Sequence, residues 1–150
     1  MSRLAYLIAT VGGVGRLPAA PGTWGSAVAL PPAWAIQYYG GPWALLLATA
    51  LVFGLGCWAA AVHIRATGRE DPSEVVIDEV AGQWLVLVPA PADPLLYLAG
   101  FLAFRVLDIN KPWPASWADR EVHGGLGAML DDLLAAVYGC LAMGAWVALR

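Results

Sequence analysis

The chain has 150 residues, 60% of them hydrophobic and only 13% charged, where soluble domains run at roughly 45–50% apolar and about 25% charged. Its mean hydropathy of +0.66 excludes an ordinary soluble domain as well as disordered, collagen-like and coiled-coil chains, and the length predicts one domain over residues 1–150. Eight basic residues against eleven acidic ones, a formal charge of −3, supply no broad cationic surface, which argues against nucleic acid as a partner.

The stretch before Gly12 is short and leads into glycines and more apolar chain, not a small-residue cleavage site, so no cleavable signal peptide is expected. Next comes GRLPAAPGTWGS, Gly15 to Ser26, which sets Gly22, Thr23, Gly25 and Ser26 directly before an apolar helix. Small residues at a helix N-terminus let backbone N–H groups approach a phosphate. A Ser/Thr cap after a Pro-Gly turn explains the same pattern equally well. The lysine of a nucleotide-binding P-loop is missing.

From Leu17 to Ile64 there is no Asp, Glu, Lys or Arg. Gly40-Gly41-Pro42 divides this material into helices expected near 26–39 and 42–64, the second long enough to cross a hydrocarbon layer of ~30 Å. Val80 to Phe104 holds one charge, Asp93, and the VPAPADP segment at Val88 to Pro94 breaks it into two short helices near 73–89 and 94–109. A last apolar helix is expected near 127–149. The fold class is therefore all-α, a polytopic membrane bundle of about five embedded helices with a short hairpin around 73–109. With the hairpin, segments 12–25, 65–73 and 109–126 emerge together and carry Arg16, Arg65, Arg69, Lys111 and Arg120. The positive-inside bias makes that face cytoplasmic. Were 80–104 a single span, the two charged windows, Arg65 to Glu79 and Arg105 to Asp132, would lie on opposite sides.

Those windows hold the candidate chemistry. Asp78-Glu79 and Asp131-Asp132 sit at the edges of apolar helices, where ionisable groups are costly. Neighbouring helical residues point about 100° apart, so each pair can turn one carboxylate inward and lend the other to a ligand. A single such pair could merely cap a helix end in interfacial water, but two pairs of oxygen-only donors suit a hard cation, Mg²⁺ above all, with Asp78, Glu79, Asp131 and Asp132 as metal ligands. Arg105 and Asp108, three apart, either form an ion pair, or Asp108 joins the acids while Arg105 and Lys111 hold phosphate oxygens. His123 and His63 read as unspecialised, and Cys57 and Cys140, inside apolar runs, as structural. Carboxylates for a metal together with Arg and Lys for phosphate suit phosphoryl transfer to water. The other class weighed is a small ion- or proton-coupled transporter, whose path would spread ionisable groups over several depths instead of one face.

Four blocks in order, APGTWGS, VVIDEVAGQW, FRVLDINKPWPASWADR and HGGLGAMLDDLLAAVY, resemble the phosphatidylglycerophosphatase A family. The resemblance implies an all-helical, integral inner-membrane, magnesium-dependent lipid phosphatase that converts phosphatidylglycerophosphate in the bilayer to phosphatidylglycerol. By position, the family's acidic residues fall on Asp78, Glu79, Asp108, Asp131 and Asp132, and its glycine-threonine-serine loop on Gly22, Thr23, Gly25 and Ser26. Gln83 departs mildly, standing where an apolar residue is expected. No cysteine is followed five residues later by arginine, and the DxDx(T/V) and PSGH signatures are missing, which leaves metal-activated water as the simplest nucleophile.

Overall fold

Proline, glycine and capping residues set the helix ends of this chain. The computed structural model describes residues 2–150 as helices α1 (Arg3–Ala9), α2 (Pro21–Thr67), α3 (Ile77–Leu87), α4 (Pro94–Asn110), α5 (Ala115–Glu121) and α6 (Gly124–Leu149), with a 3₁₀ turn at Val14–Arg16. There is no strand among the described residues. Ser2 caps α1 by accepting from Ala5 N–H, and Asp93 caps α4 by accepting from Leu95 and Leu96 N–H at 2.8 and 3.2 Å.

The long α2 is broken at Gly41, whose φ of 79° and ψ of −175° belong to no helix. Its two arms run in opposite directions. In the first, Trp84 Nε1–H of α3 donates to Ala29 O at 2.8 Å, and Gln37 reaches Ala90 O, beyond the C-terminal end of α3, at 2.8 Å. In the second, Gly56 lies against Ile77 and Met129, and His63 meets Glu74, so the chain has returned to the N-terminal end of α3. Helices α3 and α4 form an antiparallel pair, joined across 88–93 and tied at the other end by Arg105 and Glu79. Consequently the segments before α2, between α2 and α3, and between α4 and α6 all gather at one end of the bundle.

Two helical segments are long and apolar enough to cross a membrane, Pro21–Thr67 and Gly124–Leu149, with mean hydropathies of 2.2 and 1.7. Pro21–Thr67 is divided at Gly41 into the two arms expected near 26–39 and 42–64, while α3 and α4, two more of the five expected embedded helices, are not confirmed as spans. At 11 and 17 residues and 1.5 Å per residue, α3 and α4 reach only about 16 and 25 Å, short of a ~30 Å hydrocarbon layer. Helix α3 begins at Ile77, not near 73, because Pro72 to Val76 form a turn whose Val76 N–H bonds to Ala9 O at 2.9 Å. Helices α1 and α5 were not anticipated. The interior is rich in small residues such as Ala33, Ala59, Ala81 and Ala136, while Leu47, Leu51 and Leu55 on α2 and Leu95, Leu98 and Leu102 on α4 are exposed. That inversion is expected in lipid, where hiding a leucine gains little and small residues let backbones approach. At Gly125 a Cβ would stand 2.0 Å from Cys57 O, so α6 crosses α2 only because glycine occupies that position.

Candidate active site

The candidate residues come together at the end where the three connecting segments meet. Helix α3 contributes Asp78 and Glu79 in its first turn, α4 contributes Asp108 near its C-terminus with Lys111 just beyond, and α6 contributes Asp131 and Asp132. Glu79, Asp108 and Asp131 are 7–8% exposed and Asp132 only 1%. Buried carboxylates demand partners. Arg105 Nη1 donates to Glu79 Oε2 and to Asp108 Oδ2, both at 2.9 Å, and lies 3.5 Å from the buried Ser26 Oγ. Lys111 Nζ reaches Asp108 Oδ1 at 2.8 Å, Asp131 Oδ2 at 3.0 Å and Asp132 Oδ1 at 3.3 Å. Burial alone would lower the pKa of Lys111, but Asp132, Asp108 and Asp131 outweigh it and hold the ammonium well above its ordinary range.

Two cations do not balance five carboxylates. Ligand oxygens of Asp78, Asp131 and Asp132 lie within 4.8 Å of one another, as do those of Glu79, Asp108 and Asp132, so Asp132 belongs to both groups. Its Oδ2 is buried without a hydrogen-bond partner. An all-oxygen donor set with surplus negative charge and an orphaned carboxylate oxygen fits a hard divalent cation.

Two cavities open onto these acids. One of about 220 Å³ is lined by Gly22, Asp78, Glu79, Asp108, Lys111, Asp131 and Asp132 among others. Its neighbour of about 280 Å³ shares Asp78 and Asp131 and adds Arg120 and His123. Asp71 and Asp119 line both cavities and were missed by sequence reasoning. The only available signal was their place inside the two charged windows.

The glycine-threonine-serine stretch is only partly brought to the site. It lies inside α2, which starts at Pro21, so it is not a loop preceding a helix near 26; the proline at the first helical position starts the helix early. Gly22 faces the acids, and a Cβ there would stand 2.8 Å from Glu79 Oε1. Gly25 packs on Val76 and Glu79, and Ser26 is buried beside Arg105. Thr23 makes no side-chain hydrogen bond among the described residues and lines neither cavity.

The profile of the family described as "Phosphatidylglycerophosphatase A" matches residues 7–147. The chain belongs to that family. It is 38% identical over 139 residues to a phosphatidylglycerophosphatase A of Escherichia coli K12, covering 91% of this chain and 80% of that one. It is 36% identical over 137 residues to the phosphatidylglycerophosphatase A of Haemophilus influenzae, covering 91% and 84%. A Bacteroides thetaiotaomicron protein provisionally named a phosphatidylinositol-3-phosphatase is 39% identical over 156 residues, covering 97% and 96%. No solved structure matches the chain. As a member of the phosphatidylglycerophosphatase A family, the protein is a phosphatase, and the acidic end of its bundle is the candidate active site.

Proposed function

We propose that this single-domain chain hydrolyses phosphatidylglycerophosphate to phosphatidylglycerol and phosphate at the cytoplasmic face of the inner membrane, with Mg²⁺ held by Asp78, Glu79, Asp131 and Asp132. What carries the reading is the meeting of five carboxylates from three helices around Arg105 and Lys111 at one end of an apolar bundle. Family membership supplies the reaction class. When bound, the cation supplies the positive charge that stabilises the phosphoryl oxygens as bonds change.

The protein's own groups do the rest. Arg105 and Lys111 keep the carboxylates apart from one another's repulsion, and Arg105 Nε, buried and unpartnered, offers a donor to a phosphate oxygen. Water adds its oxygen to phosphorus, and the bond from phosphorus to the glycerol oxygen breaks. Asp78 or Asp131, which line both cavities, takes the proton from the water, and the departing oxygen receives one. Burial of Asp132 and Glu79 keeps bulk water from screening these charges. A transport path is disfavoured because the carboxylates sit at one end of the helices, not along them.

The test is phosphate release from phosphatidylglycerophosphate in detergent micelles by purified protein, with and without Mg²⁺. Release that vanishes with a chelator and returns with Mg²⁺ supports the reading, and metal-independent release or none overturns it. Membrane orientation is tested by single cysteines at Ala19, Thr67 and Ala118 after replacing Cys57 and Cys140. All three should react from the cytoplasmic side.

A further inference from the structure

Arg105 and Lys111 are bonded to carboxylates, which leaves Arg105 Nε for one phosphate oxygen, and further cations able to meet a lipid headgroup lie elsewhere. A third cavity, of about 360 Å³, is lined by Arg16, Leu17, Pro21, Arg69, Ser73 and Glu74. Ser73 also lines the cavity over the acids, and Pro21 and Gly22 are consecutive residues lining one cavity each, so the two cavities are adjacent. The Arg69 guanidinium and the backbone at Arg16 are held in place. A Cβ on Gly15 would stand 1.8 Å from Glu74 O, so the 3₁₀ turn ending at Arg16 lies directly on the segment carrying Glu74. Arg69 bonds to both oxygens of Glu74, whose Oε1 also meets His63 Nε2 at 2.9 Å. Glu74 is thereby saturated, whereas Arg16 has no carboxylate within ion-pair distance among the described residues. Leu17, which lines this groove, is 41% exposed, apolar surface next to arginine as befits the boundary between acyl chains and headgroups.

We infer that the Arg16–Arg69 groove binds a singly charged phosphodiester, the internal one of the same lipid whose terminal monoester enters the acidic cavity. The proposal rests on the function proposed above. A headgroup with two phosphates joined through glycerol needs two adjacent sites of different character. One must be rich in carboxylates for a metal and a reacting monoester, and the other must be cationic and unreactive. The groove makes Arg16 and Arg69 specificity-determining residues, because a lipid lacking the second phosphate would leave them unpaired. Phosphodiester could also come from a bystander lipid, and the measurements separate the two sources.

The experiment compares wild type with Arg16→Gln, chosen because Arg16 is exposed and its side chain has no partner whose loss would unfold the protein. In nonionic micelles, titration with phosphatidylglycerol, a diester with no monoester, should show binding weakened about tenfold, and titration with inorganic phosphate a change within about twofold. The KM for phosphatidylglycerophosphate should rise in parallel with kcat largely retained. Unaltered phosphatidylglycerol binding, or equal weakening towards inorganic phosphate, overturns the groove as a diester site. Weakened phosphatidylglycerol binding with an unaltered KM means a bystander lipid occupies the groove and overturns the assignment to substrate. Wild type that binds phosphatidylglycerol through Arg16 but releases no phosphate from phosphatidylglycerophosphate separates failure of the proposed function from failure of the groove, and overturns the substrate assignment.

Discussion

Between α3, α4 and α6, five carboxylates share two cations, whereas beside the second arm of α2 a single carboxylate, Glu74, is met by Arg69 and His63. Both clusters are buried, and both tie helices together at the same end of the bundle. They differ in balance. Burial alone would raise the pKa of Glu74, but hydrogen bonds from His63 and Arg69, with the charge of Arg69, outweigh it and bring the group to about 2. It is a satisfied anion with a positioning job. The larger cluster leaves Asp132 Oδ2 without a partner and collects more negative charge than the protein neutralises. Such an excess is relieved by a bound cation or by protons, both of which suit a reacting site, so imbalance points to the reactive cluster and balance to the scaffold.

The largest expected effect is in the unbalanced cluster. Asp132→Asn keeps the shape but removes the charge shared by both ligand groups, and turnover should fall about a thousandfold or more. Asp78→Asn and Asp131→Asn should do likewise while each protein remains folded and inserted. Phosphate release close to wild type in any of the three would remove that residue from the site.

Arg105→Lys should cost roughly ten- to a hundredfold in kcat/KM, because the ammonium sits on a shorter stem than Nη1, the single nitrogen that meets both Glu79 Oε2 and Asp108 Oδ2, and lacks the unpartnered Nε donor beside it. Full activity with lysine would make the contact a simple charge balance and weaken the contrast between the clusters.

Glu74→Gln should act chiefly on stability, by about 1–3 kcal/mol, read as a lower melting temperature in detergent. The sign of the pH dependence follows from the depressed pKa. The stabilisation is complete above the ordinary carboxylate range near 4.5 and disappears as pH falls towards about 2. The gap between wild type and variant should therefore narrow on acidification, and a constant gap would show that charge is not what Glu74 contributes.

Gly22→Ala should give the smallest effect, a loss of roughly two- to tenfold in kcat/KM, because its Cβ would press on Glu79 Oε1 from 2.8 Å. An unaffected variant would mean that the first turn of α2 yields without disturbing the acids.

The sequence by itself determined the membrane character, the all-helical class and the two acidic pairs, because these rest on local signals: long uncharged runs, proline and glycine punctuation, and acids at helix edges. It also placed Asp108, Arg105 and Lys111 near one another, since i,i+3 spacing is short-range. Only the tertiary structure decided how α2 folds back at Gly41, which returns its second arm to the N-terminal end of α3, and how the turn after Gly68 sets Glu74 on His63, a cluster that neither residue announces. It likewise decided that Thr23 stays out of the site while Gly22 enters it, and that Asp71 and Asp119 line the cavities. The physical reason is that a carboxylate's partners are set by distances between helices far apart in the chain. Those distances depend on small residues at crossings, such as Gly125 over Cys57 and Gly15 over Glu74, whose importance is visible only once both backbones are in place.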